Sequence, residues 1–389
     1  MIDNKYSQMI NELVSKVVEN GEYAGVSCCV LKDGKEYFKG AWGMADIERG
    51  ITMQTNSIFR AHSLSKVITS VAVMKLFEQG KLDLNYCASW YLDGFKNQQV
   101  LTDNGLVPAN RDVTIKDLLN MTSGCVYPDG DAAGQKMGEV FWKAEQAHNE
   151  GNPIDTIEMA NRIGRSPLCC QPGEKWHYGT SADILGAIVE IITKKKYDDF
   201  LREEIFKPLG MNDTGFYVPD DKKNRFTQLY DYPQGKPVPF KGSFLGLYNY
   251  DSRPAFISGG AGVVTTAEDY AKFAAMLANG GEYNGVRILS KKTVEFMATD
   301  NLTEEQKVEY KTWVSCFGYS YGNLCRILTD KTVASTLAPL GEFGWDGWAG
   351  AYASINRDDN LAFTLFVQRC GAGTSDIARR VKNIVLSSL

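Results

Sequence analysis

The two ends of the chain show the same pattern, in which an amphipathic helix lies beside two short segments of β character. Apolar residues recur at helical spacing from Met9 to Val18, and Asn20-Gly21 ends that pattern. A closing helix with one apolar face follows Asp376. The β segments predict two hairpins, formed by residues 24–30 with 37–43 and by residues 350–355 with 361–368. Both termini are therefore predicted to build one antiparallel sheet with helices packed on it.

The middle of the chain has a different pattern, with helical segments separated by long loops that contain Gly, Pro and Asp. We therefore predict an α+β fold in which an antiparallel sheet is flanked by the terminal helices and a helical lobe is inserted. The predicted sheet lobe comprises residues 1–84 and 255–389, and the mainly helical lobe comprises residues 85–254.

The composition excludes several classes of function. The 389 residues carry 42 Lys and Arg against 47 Asp and Glu, a net charge of −5, so no basic field attracts a nucleic acid. No segment approaches the roughly 18 apolar residues that a membrane span needs. The first residues lack the apolar region of a signal peptide. These patterns predict a cytoplasmic protein without a membrane span or a nucleic-acid partner.

The cysteines do not predict a metal site or a disulfide framework. There are nine, an odd number, and the adjacent pairs Cys28-Cys29 and Cys169-Cys170 do not match a zinc spacing. We interpret them as reduced thiols packed in the core. The chain also lacks the His-Glu-x-x-His, Gly-x-Gly-x-x-Gly and P-loop motifs. The sequence therefore predicts no metal ion and no cofactor.

One segment, residues 63–79, is apolar nearly all round, which is typical of a buried helix, yet its N-terminus is polar. Ser63 and Lys66 form a Ser-x-x-Lys sequence, and residues at i and i+3 share a helix face. A serine hydroxyl becomes a good nucleophile when a neighbouring base takes its proton. Lysine can be that base where burial and the positive helix end disfavour its charged form. The pattern predicts nucleophilic catalysis by Ser63, with a helix cap as the alternative.

Ser320 is a second candidate nucleophile, because residues 318–322 match the Gly-x-Ser-x-Gly elbow. An elbow requires a helix after the serine and a histidine later in the chain. The residues after Gly322 read as a strand, and no histidine follows His177. A glycine-rich strand is therefore the favoured interpretation.

Several segments resemble, in the same order, motifs of the serine β-lactamase-related superfamily. This superfamily includes class C β-lactamases, D,D-peptidases, D-aminopeptidases, family VIII-type esterases and related acyltransferases. The similar segments are residues 59–66, 113–124, 172–186, 207–211 and 259–269. Because several motifs in order are more specific than one, the chain is identified as a member with a β-lactamase/transpeptidase-like fold.

The resemblance implies roles for individual residues. Ser63 would be the acylated nucleophile and Lys66 its proton partner. Tyr178 would be the tyrosine that shares the proton and passes it to the leaving group. The backbone N–H groups of Ser63 and Trp348 would form the oxyanion hole. A phenol near Lys66 is also expected to have a stabilised anion, so that Tyr178 can act as a base.

Two departures from the family's motifs concern the substrate-binding residues. Thr180 stands where the tyrosine motif often has Asn, and it offers a hydroxyl to the substrate in place of an amide. Trp345-Asp346-Gly347 stands where β-lactamases and D,D-peptidases have Lys-Thr-Gly, so a Trp replaces a cation and an Asp would repel an anionic substrate. Esterases and acyltransferases commonly carry Trp-x-Gly or His-x-Gly here. The resemblance thus favours a serine hydrolase acting on a carboxylic ester or related small acyl compound.

Other activities stay open with the same residues. An acyltransferase would differ only in using an alcohol or amine in place of water. A β-lactamase, D,D-peptidase or D-aminopeptidase would share the acyl-enzyme, and a catalytically silent homologue would bind a ligand or act as a scaffold. The loops 127–138 and 234–254 are expected to shape the pocket. For Trp345 and Trp348, packing on the sheet is the alternative to substrate contact.

Overall fold

The computed structural model describes residues 1–243, 245–247 and 250–389. Among these residues, eight strands pair into one antiparallel sheet: β1 (Gly25–Lys32), β2 (Lys35–Asp46), β3 (Ile51–Thr52), β4 (Tyr319–Gly322), β5 (Cys325–Leu328), β6 (Phe343–Asp346), β7 (Ala351–Asn356) and β8 (Leu361–Phe366). Their order across the sheet is β4-β5-β6-β7-β8-β1-β2-β3. Strands β1 and β8 pair directly, with Ser27 opposite Phe366. The prediction that both termini build one antiparallel sheet is confirmed.

The helices are α1 (Asn4–Glu19), α2 (Ser65–Glu78), α3 (Ile115–Leu119), α4 (Ala132–Asn149), α5 (Thr156–Gly164), α6 (Ser181–Thr193), α7 (Tyr197–Leu201), α8 (Ala267–Ala278), α9 (Lys291–Met297), α10 (Lys307–Tyr310) and α11 (Asp376–Ser387). Shorter helical turns occupy His62–Leu64, Ala88–Trp90, Asp93–Phe95, Arg202–Phe206, Asp220–Arg225, Pro233–Gly235 and Val314–Cys316. Small two-stranded ribbons pair Phe59–Arg60 with Val264–Thr265, Gln99–Thr102 with Gly105–Pro108, Tyr230–Asp231 with Val238–Pro239, and Glu282–Tyr283 with Val286–Arg287.

The terminal helices cover one face of the sheet and α8 covers the other. Each terminal helix begins after a residue whose side chain accepts a backbone N–H of the first turn, Asp3 for α1 and Ser375 for α11. Their apolar faces, with Val14 and Val381 among them, share a buried core with strands β1, β7 and β8. Because side chains alternate along a strand, the remaining residues of these strands face α8.

Helix α2 is buried on all sides, as its sequence predicts. From Ser65 to Leu76, every side chain except that of Lys75 is buried. The helix packs against α6, α9 and β6. Its polar N-terminus therefore lies where the sheet meets the helices of the middle of the chain.

The stretch 85–254 contains α3 to α7 and long loops, and every strand of the eight-stranded sheet lies outside it. The division into two lobes with these boundaries stays a prediction, since α2, α6 and α8 share one continuous hydrophobic core. Phe244, Tyr248 and Asn249, in the predicted pocket loop 234–254, lie outside the described residues. No helix in the described ranges is long and apolar enough to cross a membrane. All nine cysteines are thiols, and six of them are buried.

Candidate active site

Ser63 lies at the mouth of α2, in the wall of a pocket of about 300 Å³. The preceding residue, His62, has a φ of 45°, in the left-handed region. This conformation is unfavourable for a residue with a β-carbon, so the surrounding packing must hold the turn. The His62 ring packs edge-on against Trp348, with ring centroids 5.6 Å apart. This contact packs the strained turn at His62 against the segment that follows β6.

The side chain of Lys66 approaches Ser63 from inside the protein. It is completely buried. Its Nζ lies 3.1 Å from Ser63 Oγ, 2.9 Å from the Tyr127 hydroxyl and 2.8 Å from the carbonyl oxygen of Gly260. The three hydrogen-bonding partners are all neutral oxygen atoms, which satisfy the amine without stabilising its charge as a carboxylate would.

The protonation state of Lys66 follows from this environment. Burial lowers its pKa to about 7, although the carboxylates of Asp183 and Asp346 oppose the shift. A neutral Lys66 amine is therefore accessible near pH 7, where an ordinary lysine is almost fully charged. A neutral amine at this distance can accept the proton of the Ser63 hydroxyl.

The glycine run 259–262 forms the turn that places the Gly260 carbonyl under Lys66. Asp183, on α6, accepts hydrogen bonds from the Gly260 N–H at 3.0 Å and from the Ser258 hydroxyl at 2.6 Å. A β-carbon at Gly259 would lie 2.4 Å from the carbonyl oxygen of Ala182. Glycine is needed there because α6 and the turn are in backbone contact.

Tyr127 is the site residue that sequence reasoning missed. Its hydroxyl accepts the 2.9 Å hydrogen bond from Lys66, and its ring centroid lies 5.7 Å from that of Tyr178. The sequence pattern predicts only that the loop starting at Tyr127 shapes the pocket. A β-carbon at Gly179 would lie 2.0 Å from the carbonyl oxygen of Cys125, so the two tyrosine-bearing segments are in direct backbone contact.

Tyr178 faces Lys66 through its ring. The Lys66 Nζ lies 4.7 Å from the Tyr178 ring centroid, and the indole Nε1 of Trp345 donates a 2.9 Å hydrogen bond to the Tyr178 hydroxyl. Burial raises the pKa of Tyr178 well above its usual range, although hydrogen bonds with Ser63 and Trp345 act in the opposite direction. The expectation that this phenol has a stabilised anion is therefore wrong, because desolvation outweighs those hydrogen bonds.

The end of β6 brings a second backbone segment beside the nucleophile. A β-carbon at Gly347 would lie 2.1 Å from the carbonyl oxygen of Ala61, so only glycine permits this approach. Trp348 follows and lines the same pocket as Ser63. The close contact explains the glycine of the Trp345-Asp346-Gly347 motif, and it brings Trp348 into the wall of the pocket that Ser63 lines.

The remaining predicted substrate-binding residues divide into two groups. Trp345 and Asp346 line the pocket, whereas Thr180 and Gly347 do not. Thr180 is completely buried at the start of α6, and its hydroxyl has no hydrogen-bond partner among the described residues. The geometry gives no support to the predicted substrate contact of Thr180, because its side chain lies in the core.

His177 takes part in a cluster outside the lining of this pocket. Its Nδ1 lies 2.6 Å from Glu309, and its Nε2 lies 3.7 Å from Asp129. Burial lowers the pKa of His177, but the hydrogen bond to Glu309 and the charges of the nearby carboxylates raise it overall. The ligand atoms of His177, Asp129 and Asp131 lie within 4.8 Å of one another, a grouping that could hold a metal ion.

Ser320 is not placed for catalysis. It lies in β4, is almost completely buried, and donates a 2.5 Å hydrogen bond to Asp300. Strand β5 follows instead of a helix. The interpretation of this segment as a strand is confirmed.

Comparisons with known proteins agree with this geometry. A sequence profile described as Beta-lactamase matches residues 10–385. The chain belongs to the beta-lactamase family. Protein Rv1367c of Mycobacterium tuberculosis is 30% identical over 380 residues, which cover 95% of this chain and 91% of that protein. The Esterase EstB of Burkholderia gladioli is 26% identical over 383 residues, covering 94% and 91%.

The fold is shared with solved structures of similar proteins. EstCE1, described as a hydrolase with promiscuous acyltransferase activity, superposes with a TM-score of 0.80 at 21% identity and covers 98% of each chain. The predicted β-lactamase/transpeptidase-like fold is confirmed. The family is one of serine hydrolases.

Proposed function

We propose that the protein is a serine hydrolase that cleaves carboxylic esters through an acyl-enzyme on Ser63. The contact between Lys66 Nζ and Ser63 Oγ, at 3.1 Å, carries this proposal. The contact connects Ser63, which follows the strained residue His62, with the buried amine of Lys66, whose pKa is lowered to about 7. An activated nucleophile needs both the short distance and the available base.

The first half of the reaction forms the acyl-enzyme. The neutral Lys66 amine takes the proton of Ser63 as Oγ bonds to the ester carbonyl carbon, which leaves an ammonium and an oxyanion. The backbone N–H groups of Ser63 and Trp348 bind the oxyanion. When the C–O bond to the alcohol breaks, Tyr178 donates its proton to the leaving oxygen and recovers a proton from Lys66. Because burial raises its pKa, Tyr178 is protonated at neutral pH and has a proton to donate.

The second half regenerates the enzyme with the same groups. Lys66, neutral again, takes a proton from water as the water oxygen attacks the acyl carbon. The intermediate collapses, and Ser63 Oγ leaves with the proton that Lys66 returns. Tyr127 and the Gly260 carbonyl hold the Lys66 amine in place throughout, through their hydrogen bonds of 2.9 and 2.8 Å.

The pocket lining supports a neutral acyl group. The walls of the pocket are largely apolar and include Leu245, Trp313, Trp345 and Trp348. Among the described lining residues, Asp346 alone is charged. An acidic residue there disfavours the carboxylate that β-lactams and peptide C-termini carry. The proposal therefore places ester hydrolysis before β-lactamase, D,D-peptidase and D-aminopeptidase activity. The predicted cytoplasmic location is part of the same proposal.

Acyl transfer is the second candidate activity. EstCE1 is described as a hydrolase with promiscuous acyltransferase activity, and this chain shares its fold. Transfer would use the same acyl-enzyme with an alcohol or amine in the place of water. The presence of Ser63, Lys66 and Tyr178 in one constellation argues against a catalytically silent homologue.

Intact mass spectrometry after brief exposure to p-nitrophenyl butyrate tests the proposal. We expect a single butyryl adduct on the wild type and on Ser320→Ala, the control, and no adduct on Ser63→Ala. An adduct on Ser63→Ala would refute the assigned nucleophile. Adding a short alcohol in the same assay distinguishes transfer, which yields the butyryl ester of that alcohol, from hydrolysis alone.

A further inference from the structure

A second cavity lies beside α11, on the far side of Asp346 from the catalytic pocket. It has a volume of about 240 Å³ and is bordered by β4, β5, β7, α11 and the loop 331–336. Three of the residues in its lining are cations, Arg326, Arg379 and Lys382, and none of the described lining residues is a carboxylate. A concave surface with cations alone as its charged groups is complementary to an anion.

Arg326 lies in the wall of this cavity and contributes a buried positive charge to it. Its side chain is 1% exposed and stacks on Tyr352, with the guanidinium carbon 4.4 Å from the ring centroid. One terminal nitrogen donates a 3.0 Å hydrogen bond to the Ala353 carbonyl. The other lies 3.6 Å from Asp346 and has no hydrogen-bond partner within the described part of the chain. Arg326 is therefore a fixed cation of the cavity wall, and Asp346 balances its charge from the side of the catalytic pocket.

Lys382 supplies a second buried cation from α11. Its side chain is 3% exposed, and its Nζ donates a 3.2 Å hydrogen bond to the Tyr319 hydroxyl. The carboxylate of Glu342 is 3.6 Å away and does not belong to the cavity lining. An ammonium has three donors, so Lys382 retains capacity for an acceptor inside the cavity.

The cavity and the catalytic pocket share a wall. Ser315 lines both. Asp346 lines the catalytic pocket and lies 3.6 Å from Arg326, and the hydroxyl of Thr374, in the cavity wall, donates to Asp346. The two spaces are therefore adjacent and separated by the Asp346 side chain.

We propose that this cavity is a binding site for a small anion, a carboxylate or phosphate group, held by Arg326, Lys382 and Arg379. The planar guanidinium and the hydroxyls of the wall supply the donors that such oxyanions require. The anion is either a free ion or an acidic group carried by the substrate. Binding requires no catalysis, so this inference stands or falls separately from ester hydrolysis.

Two neighbouring arginines of α11 provide a matched test. Arg379 and Arg380 are 55% and 53% exposed and lie 3.5 and 3.4 Å from the same Asp376, but only Arg379 lines the cavity. Inorganic phosphate is titrated into the Ser63→Ala protein by calorimetry, with chloride keeping the ionic strength constant. We expect saturable binding with one site, weakened at least several-fold by Arg379→Gln and unchanged by Arg380→Gln. Absence of saturable binding, or equal effects of both substitutions, would overturn the proposal.

Arg326→Met gives a second readout at the buried nitrogen. Phosphate should raise the thermal midpoint of the parent protein, and this rise should disappear in Arg326→Met. A full rise in a folded Arg326→Met protein would contradict the site. Should this variant fail to fold, the Arg379 and Arg380 pair decides the question alone.

Two activated esters distinguish the sources of the anion in the active enzyme. The p-nitrophenyl monoester of glutaric acid carries a carboxylate, and p-nitrophenyl butyrate does not. Phosphate that raises the KM of the glutarate ester alone supports a substrate-borne acidic group in the cavity. Phosphate that binds without changing either KM supports a free anion. The site is refuted if the protein binds no phosphate and the KM of the glutarate ester changes neither with phosphate nor in Arg379→Gln.

Discussion

Lys66 and Lys382 are both buried lysines, yet their environments give them opposite properties. Both residues are almost inaccessible, with whole-residue exposures of 0% for Lys66 and 2% for Lys382. Burial lowers the pKa of Lys66 to about 7, because its three hydrogen-bonding partners are neutral oxygens. Burial acts on Lys382 in the same direction, but Glu342 and two tyrosines more than offset it, and its pKa lies above the usual range.

Burial by itself therefore does not make a lysine a base. A nearby carboxylate turns a buried lysine into a permanent cation, which suits it to packing and anion binding. Neutral acceptors alone leave the pKa of a buried amine close to physiological pH, so the amine can both accept and return a proton.

Replacing the neutral base should nearly abolish turnover. Lys66→Met is expected to lower kcat for p-nitrophenyl butyrate by about 10³-fold, because general base catalysis contributes on the order of 10²–10⁴. Lys75→Met is the control, since Lys75 lies on the same helix and pairs with Glu204 at 3.5 Å on its far side. A Lys66→Met enzyme with activity within tenfold of the wild type would show that another group activates Ser63.

Removing the carboxylate beside Lys382 should destabilise the fold. Glu342→Gln leaves a buried ammonium without its partner, which typically costs about 3–5 kcal/mol of unfolding free energy. The exposed pair of Glu295 and Lys292, at 3.0 Å, supplies the control, and Glu295→Gln should change stability by less than about 1 kcal/mol. Urea unfolding measures both variants. The double variant Glu342→Gln/Lys382→Met should recover part of the loss, and no recovery would show that Glu342 acts through other contacts.

The pH dependence of catalysis should report the lowered pKa of Lys66. The base works in its unprotonated form, so kcat/KM should rise with pH through a midpoint of about 7 and then level off. Initial rates between pH 5.5 and 9, with corrections for spontaneous hydrolysis, provide the profile. A rate that falls as the pH rises from 6 to 8 would mean that the charged form of Lys66 is the active one.

The hydrogen bond from Trp345 to Tyr178 should have the smallest effect of the four. Trp345→Phe keeps an aromatic wall and removes the indole donor, which lies 2.9 Å from the Tyr178 hydroxyl. We expect kcat to fall roughly five-fold, in line with about 1 kcal/mol for one hydrogen bond. Trp313→Phe, in the same pocket but without that bond, should change kcat less. A larger loss in Trp313→Phe would assign Trp345 a packing role only.

Patterns within short segments of sequence predicted the features that depend on local periodicity. The hairpins at both ends and the buried helix of Ser63 and Lys66 follow from spacing and composition. The strand assignment of Ser320 also followed from the residues beside it. Each of these depends on neighbours in the chain, which a single sequence displays.

Contacts between distant segments could not be predicted in this way. The hydrogen bond from Lys66 to Tyr127 joins residues 61 positions apart, and no periodicity encodes it. The raised pKa of Tyr178 depends on the desolvation of a pocket that exists only in the folded protein. Thr180 was expected at the substrate by analogy with an amide, but its position at the start of α6 buries it.

A direct titration of the Lys66 amine shows whether it can be the base for Ser63. Lysine labelled with ¹³C at Cε gives NMR signals that can be followed from pH 5 to 11, with Lys66→Met and Lys382→Met variants to assign the two buried residues. We expect the Lys66 signal to titrate with a midpoint of about 7, and Lys382 to stay charged up to the ordinary lysine pKa of roughly 10.4. A Lys66 signal that remains charged above pH 9 would contradict its role as the base for Ser63.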